Sequence, residues 1–207
     1  MPNTQSAIGV FDSGIGGLTV LQKIIETLPR ENTVYLGDTA RAPYGTKSSE
    51  TVLRYSFENS QFLVEKDVKI VVVACNTSTA IALTALRETL SIPVIGVIEP
   101  GVRKAAESTK NKKVGVIGTD ATIQSGAYTR ALKEADSAVE VYSRACPLFV
   151  PLVEEGWTDN SVVDMAVETY LGSFKQSGID TLILGCTHII RCSKRRLEDS
   201  WAAVFGW

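Results

Sequence analysis

Short runs of Val, Ile and Leu recur along this chain, at residues 8–11, 33–36, 70–73, 94–97, 114–117, 139–142 and 182–184. Most of them lack the apolar–polar alternation of a half-wet strand. Runs that are apolar throughout belong to strands covered on both faces. Residues 18–28, 50–65, 79–89, 102–108, 125–134 and 162–176, lying between them, read as amphipathic helices. Strands alternating with helices build right-handed βαβ units and a doubly wound α/β architecture. Glu99-Pro100-Gly101 punctuates the chain just after a strand, so the reading divides it into residues 1–98 and 99 onward.

The length of 207 residues, 44% of them hydrophobic, fits one large or two small domains that fold without disulfides. A net charge of −2 excludes a broad basic footprint for nucleic acid. The apolar runs are too short to span a bilayer. Residues 1–7 are polar and lack the apolar core of a signal peptide, so the expected compartment is the cytoplasm. The four cysteines include no CxxC and do not indicate a disulfide framework. The spacing of Cys146, Cys186, His188 and Cys192 matches no usual zinc site, and no metal is expected.

Ligands of open α/β sheets bind beyond the carboxyl ends of the strands. Four polar clusters fall there: Asp12-Ser13-Gly14-Ile15-Gly16-Gly17, Gly37-Asp38 through Tyr44-Gly45, Cys75-Asn76-Thr77 and Gly185-Cys186-Thr187-His188. The glycine turn has neither the Rossmann nor the Walker spacing. It suits either an anion such as a carboxylate at the following helix N-terminus or a tight turn with no ligand.

Two of the clusters look like copies of one device. In Val71-Val72-Val73-Ala74-Cys75-Asn76-Thr77 and Leu182-Ile183-Leu184-Gly185-Cys186-Thr187-His188, an aliphatic run leads to a small residue, a cysteine and then polar side chains. A lone buried cysteine is usually a small hydrophobe. Two at equivalent points, each before a helix start or polar turn that favours thiolate, point instead to paired acid/base groups. Cys146 and Cys192 lack that setting. Asp12 is placed to accept a proton or orient an ammonium group. His188, the only histidine, lies two residues past Cys186 and suits proton transfer near neutral pH. Glu154 and Glu155 are candidates to project into a site, with a solvated helix end as the alternative. Thr119 and Thr122 fit either a carboxylate site or an ordinary helix cap.

In Phe11-Asp12-Ser13-Gly14-Ile15-Gly16-Gly17-Leu18, Gly37-Asp38, Pro43-Tyr44-Gly45, Ala74-Cys75-Asn76-Thr77 and Gly185-Cys186-Thr187-His188, the chain resembles the cofactor-independent aspartate/glutamate racemase family, in its glutamate-specific form. The matches keep the family's order from about residue 8 to 188. The resemblance implies two pseudo-symmetric doubly wound α/β domains with the active site in the cleft between them. It implies that Cys75 and Cys186 exchange protons with opposite faces of the substrate's α-carbon, assisted by Asp12 and His188 respectively, with Glu154 as a further carboxylate. Ser13, Tyr44, Gly45, Asn76, Thr77 and Thr187 are implied to hold the substrate's carboxylates and amine, with Thr119 and Thr122 as added candidates. No cofactor is expected. The implied partner is the small molecule glutamate, with no nucleic acid or membrane, and with a homodimer left open. The implied product, D-glutamate, supplies peptidoglycan.

The resemblance breaks after His188, where the family carries a pattern like His-Tyr-Pro-Leu-Leu-Lys and this chain reads Ile189-Ile190-Arg191-Cys192-Ser193. Codons TAT CCG CTG CTC AAA, shifted by one base, read ATC CGC TGC TCA, which is Ile190-Arg191-Cys192-Ser193. Residues 189–207 are therefore expected to be an aberrant, frame-shifted tail. Residues 1–98 would form a first domain lacking its completing segment, and 99–188 a second. Three other functions stay open: aspartate racemisation, a thiol redox pair, and an inactive truncated amino-acid-binding protein.

Overall fold

The computed structural model describes residues 5–189 and the backbone of residues 202–205. The expected tail thus lies largely outside the described residues. The chain divides into two compact units, with the division after Val97.

The first unit contains strands β1 (Ile8–Asp12), β2 (Thr33–Gly37), β3 (Ile70–Val73) and β4 (Val94–Gly96), with helices α1 (Leu18–Thr27), α2 (Ser49–Glu65) and α3 (Asn76–Thr89). All its strand pairs are parallel, in the order β2-β1-β3-β4. Both faces are covered, as the aliphatic runs required. Phe11, Val71 and Val73 enter one core with Leu63 of α2 and Leu83 and Leu86 of α3. Their neighbours Ile8, Val10, Ile70 and Val72 enter another with Val20, Leu21 and Ile24 of α1. Each buried aliphatic side chain of this size contributes about 1.5–3 kcal/mol to holding the sheet. Capping fixes the start of α2, where the Ser48 hydroxyl accepts the Thr51 N–H at 3.2 Å.

The second unit repeats the pattern. Helix α4 (Ile98–Ser108) leads to strands β5 (Lys113–Gly118), β6 (Glu140–Ala145), β7 (Thr181–Gly185) and β8 (Ala202–Phe205). They are all parallel, in the order β6-β5-β7-β8. Numbered within its own unit, each sheet reads 2-1-3-4. Helices α5 (Asp120–Gln124), α6 (Ala127–Ala135), α7 (Phe149–Glu154) and α8 (Ser161–Ser177) complete the unit. One core joins Ile117, Leu182 and Leu184 to Phe149 of α7 and Leu171 and Phe174 of α8. Among the described residues, no helix is long and apolar enough to cross a membrane.

The helix starts expected at 102 and 125 differ from those observed. Glu99-Pro100-Gly101 lies just past the division of the units and forms the first turn of α4, where proline's missing N–H has no helical carbonyl to meet. The helix expected at 125–134 begins only at Ala127. Gly126, at φ 66°, separates it from α5, a left-handed conformation that costs glycine little. Residues 202–205, part of the expected tail, form the strand β8 beside β7.

Candidate functional site

A 2-1-3-4 sheet has its topological switch between its first and third strands, where the connections leave toward opposite faces and open a crevice at the strands' carboxyl ends. In the first unit, Asp12 ends β1 and Cys75 follows β3 by two residues. In the second, Thr119 follows β5 and Cys186 follows β7. Each thiol therefore follows the third strand of its own sheet, at the switch.

The glycine turn after β1 is organised by Asp12. Its Oδ2 accepts the N–H groups of Gly14 at 3.2 Å and Gly17 at 3.0 Å. The turn thus wraps round an internal carboxylate. A Cβ on Gly17 would lie 2.5 Å from the Asp12 Cβ, and one on Gly37 2.5 Å from the Gly14 carbonyl oxygen. Only glycine permits so close an approach. Cys75, 5% exposed, is the N-cap of α3, and its sulfur accepts the Ser78 N–H at 3.5 Å. Burial, and then the negative charge of Asp12, push this thiol above its ordinary value; the Ser78 N–H and the nearby hydroxyls of Ser13 and Ser78 pull it back. Asp12 therefore opposes thiolate formation in the free protein, and a cation arriving beside it would remove that opposition.

Around this centre, Ser13, Asn76 and Thr77 are all buried. Tyr44 shares a cluster with Cys75 and Val52. Its hydroxyl, expected at the substrate, is engaged within the unit: it donates to Asp38 and accepts from Asn59 Nδ2 at 2.9 Å. Arg41 Nε also donates to Asp38, at 2.7 Å, and the guanidinium lies 4.1 Å from the Tyr55 ring centroid. This network holds the short 3-10 turn Tyr44–Thr46, including Gly45, in place.

In the second unit a relay leads away from the other thiol. Cys186 Sγ lies 3.9 Å from His188 Nδ1, and His188 Nε2 lies 2.6 Å from Glu154 Oε1. An ionised carboxylate only accepts hydrogen bonds, so in the neutral imidazole the tautomer that satisfies Glu154 carries its proton on Nε2 and turns the Nδ1 lone pair to the thiol. Such a pair can take the Cys186 proton and spread the resulting positive charge toward Glu154. Glu154 is the last residue of α7, while Glu155 lines an apolar hollow with Leu148, Trp157 and Met165. Thr187 is buried in the turn after β7. Thr119 is the N-cap of α5: its Oγ1 accepts the Thr122 N–H at 3.3 Å and lies 3.0 Å from the Thr122 hydroxyl.

Three neighbours of the thiols went unread in the sequence. Tyr35 donates to the Gly14 carbonyl oxygen at 2.7 Å, and its hydroxyl is pushed up by burial and by the charges of Asp12 and Cys75. Tyr128 is pushed up by burial and by Cys186. Ser78 meets Cys75 within one helical turn. Helical spacing from the cysteine was a signal for Ser78; the tyrosines are brought in by strand register and packing. Cys146, the remaining buried thiol among the described residues, is pushed up to about 12, chiefly by burial.

Residues 8–202 match the Asp/Glu/Hydantoin racemase family. The chain is 63% identical over 182 residues to the glutamate racemase of Geobacter metallireducens, covering 88% of this chain and 67% of that protein. It superposes on a glutamate racemase isoform from Bacillus anthracis with a TM-score of 0.93 at 46% identity, over 99% of this chain and 78% of that one. For the Francisella tularensis glutamate racemase in complex with D-glutamate the TM-score is 0.89 at 41% identity, over 97% and 75%. With its paired parallel sheets and the family match running through both units, the chain belongs to the Asp/Glu/Hydantoin racemase family.

Proposed function

We propose that the chain interconverts L- and D-glutamate by a cofactor-independent two-base mechanism. The observation that carries this reading is the placement of Cys75 and Cys186 after the third strand of two sheets of identical order. An enantiomer and its mirror image present the α-proton on opposite sides. A racemase therefore needs a base and an acid that trade roles, and equivalent thiols meet that need.

On this reading, one thiolate removes the α-proton. The electron pair left behind moves from the α-carbon onto the carboxylate. The opposite thiol then returns a proton to the other side of that carbon. Which thiol acts first depends on the enantiomer bound. His188, backed by Glu154, holds the proton of Cys186 when that residue is to act as base. The substrate ammonium pairs with Asp12 and cancels the charge that disfavours the Cys75 thiolate. Ser13, Gly45, Asn76, Thr77 and Thr187, with Thr119 and Thr122, supply hydroxyls and amides for the two carboxylates. Donors fixed in position stabilise the charge of the deprotonated intermediate better than mobile water. D-Glutamate would then serve peptidoglycan synthesis in the cytoplasm.

The test is α-proton exchange in deuterated water, with L- and D-glutamate supplied separately to the purified chain. Deuterium is expected in the product from either enantiomer. Cys75→Ser and Cys186→Ser are each expected to abolish interconversion. Racemisation at the parent rate by either variant would overturn the two-base assignment. L- and D-aspartate, shorter by one methylene, test the specificity.

A further inference from the structure

Cys75 occupies a position where helices ordinarily carry Ser, Thr, Asp or Asn. Its sulfur takes the capping role, accepting the N–H of Ser78, the third residue of α3. That third position is where, in a capping box, a side chain reaches back toward the cap. Ser78 is wholly buried; among the described residues its hydroxyl has no nitrogen or oxygen partner, and the group it acts on is the Cys75 sulfur. Leaving a buried hydroxyl unpaired costs about 1–3 kcal/mol. Ser56, equally buried in α2, avoids that cost by donating to the Val52 carbonyl oxygen at 2.7 Å. Ser78 has no such carbonyl inside its own helix, since four residues back lies Ala74, before the cap.

A hydroxyl rotates freely and donates one proton. A neutral thiol offers it a weak acceptor; a thiolate offers a strong, charged one. The groups that face Cys75 from other elements are Asp12 at the end of β1, Ser13 beyond it, Tyr35 of β2, and Tyr44 and Tyr55 in the shared cluster. Of these only Asp12 is charged at neutral pH, and its sign is wrong for helping an anion. Stabilisation of the thiolate falls to the start of α3 and to hydroxyls, and Ser78 contributes both an amide and a hydroxyl.

We propose that Ser78 is a positioning residue for Cys75, its amide holding the sulfur in place and its hydroxyl turning to the sulfur once the proton has left. This rests on the reading of Cys75 as one of the two bases.

The test compares the full chain with Ser78→Ala, which keeps the amide, and Ser78→Thr, which keeps the hydroxyl. Alkylation of Cys75 by iodoacetamide is followed against pH by peptide mass spectrometry, with Cys186 as internal reference. In the alanine variant the Cys75 profile is expected to move up by about half to one pH unit, three- to tenfold in thiolate population, the effect of one hydrogen bond. The threonine variant should restore it, and Cys186 should not move. In parallel, kcat for glutamate should fall with KM nearly constant. An unmoved Cys75 profile in the alanine variant, or an equal shift at Cys186, would overturn the proposal. A shifted profile in a chain that exchanges no α-proton would leave Ser78 in its place and sink the racemase reading instead.

Discussion

Replacing Glu154 by glutamine (Glu154→Gln) changes one charge and almost no volume. The carboxamide oxygen of the new side chain could still accept from His188 Nε2, so the contact at 2.6 Å survives as a neutral bond. What disappears is the charge assistance. Hydrogen bonds to charged groups contribute about 1.5–3 kcal/mol, against about 0.5–1.5 for neutral pairs. The Glu154 side chain is 47% exposed while that of His188 is 5% exposed, so water screens one end of the pair. That places the difference at the low end, about 1 kcal/mol, or roughly fivefold in the population of the Cys186 thiolate–His188 imidazolium pair. Cys186 alkylation at pH 7 should slow by that factor, while Cys75, in the other unit, keeps its rate. kcat/KM should drop roughly fivefold in both directions, because enantiomers are equal in energy in water. An unchanged Cys186 rate, or an equal slowing at Cys75, would refute the reasoning.

Cys146 gives a stability prediction with a definite sign. Burial pushes its thiol up to about 12, so the folded chain keeps that proton where the unfolded chain, titrating at about 8.5, has lost it. Its contribution is fully present below the unfolded value and is lost as pH rises toward 12, by about 1.4 kcal/mol per pH unit. Urea denaturation of Cys146→Ala between pH 8 and 11 should show a shallower alkaline decline than the parent; an equal decline refutes it. Gly17→Ala should destabilise the first unit by about 1–3 kcal/mol, the cost of overpacking, because its new methyl would lie 2.5 Å from the Asp12 Cβ. Limited proteolysis within residues 5–97 should speed up, and unchanged cleavage there would refute the clash.

The sheets were legible because burial on both faces leaves its mark residue by residue. Seven aliphatic runs coincide with β1 to β7, with ends shifted by three residues at most and β3 matched end to end. Helix α7 was read only through its end, as the alternative for Glu154 and Glu155; Pro151 stands third in it, where its absent N–H is unneeded. The break at Gly126 was hidden because its φ of 66° leaves no trace in hydrophobic periodicity. The cysteines, Asp12 and His188 were legible as short local patterns after strands. The link from His188 to Glu154 spans 34 positions and exists only once α7 has packed. Tyr35 reaches the glycine turn because β2 is paired to β1 with Tyr35 opposite Val10, a register that no local pattern encodes.

The repeated strand order bears on how even-handed the chemistry has to be. Two look-alike sheets each carry a thiol after the third strand, but the two thiols have unlike surroundings. One sulfur sits under a helix beside a carboxylate; the other leans on an imidazole. Thermodynamics fixes only the ratio of specificity constants for the two hands. Saturation levels and turnover numbers are free to diverge, so each isomer supplied alone at high concentration can reach a different maximal rate. Sheets of the same order with unlike furnishing can thus give the two hands different maximal rates without ever moving the equilibrium.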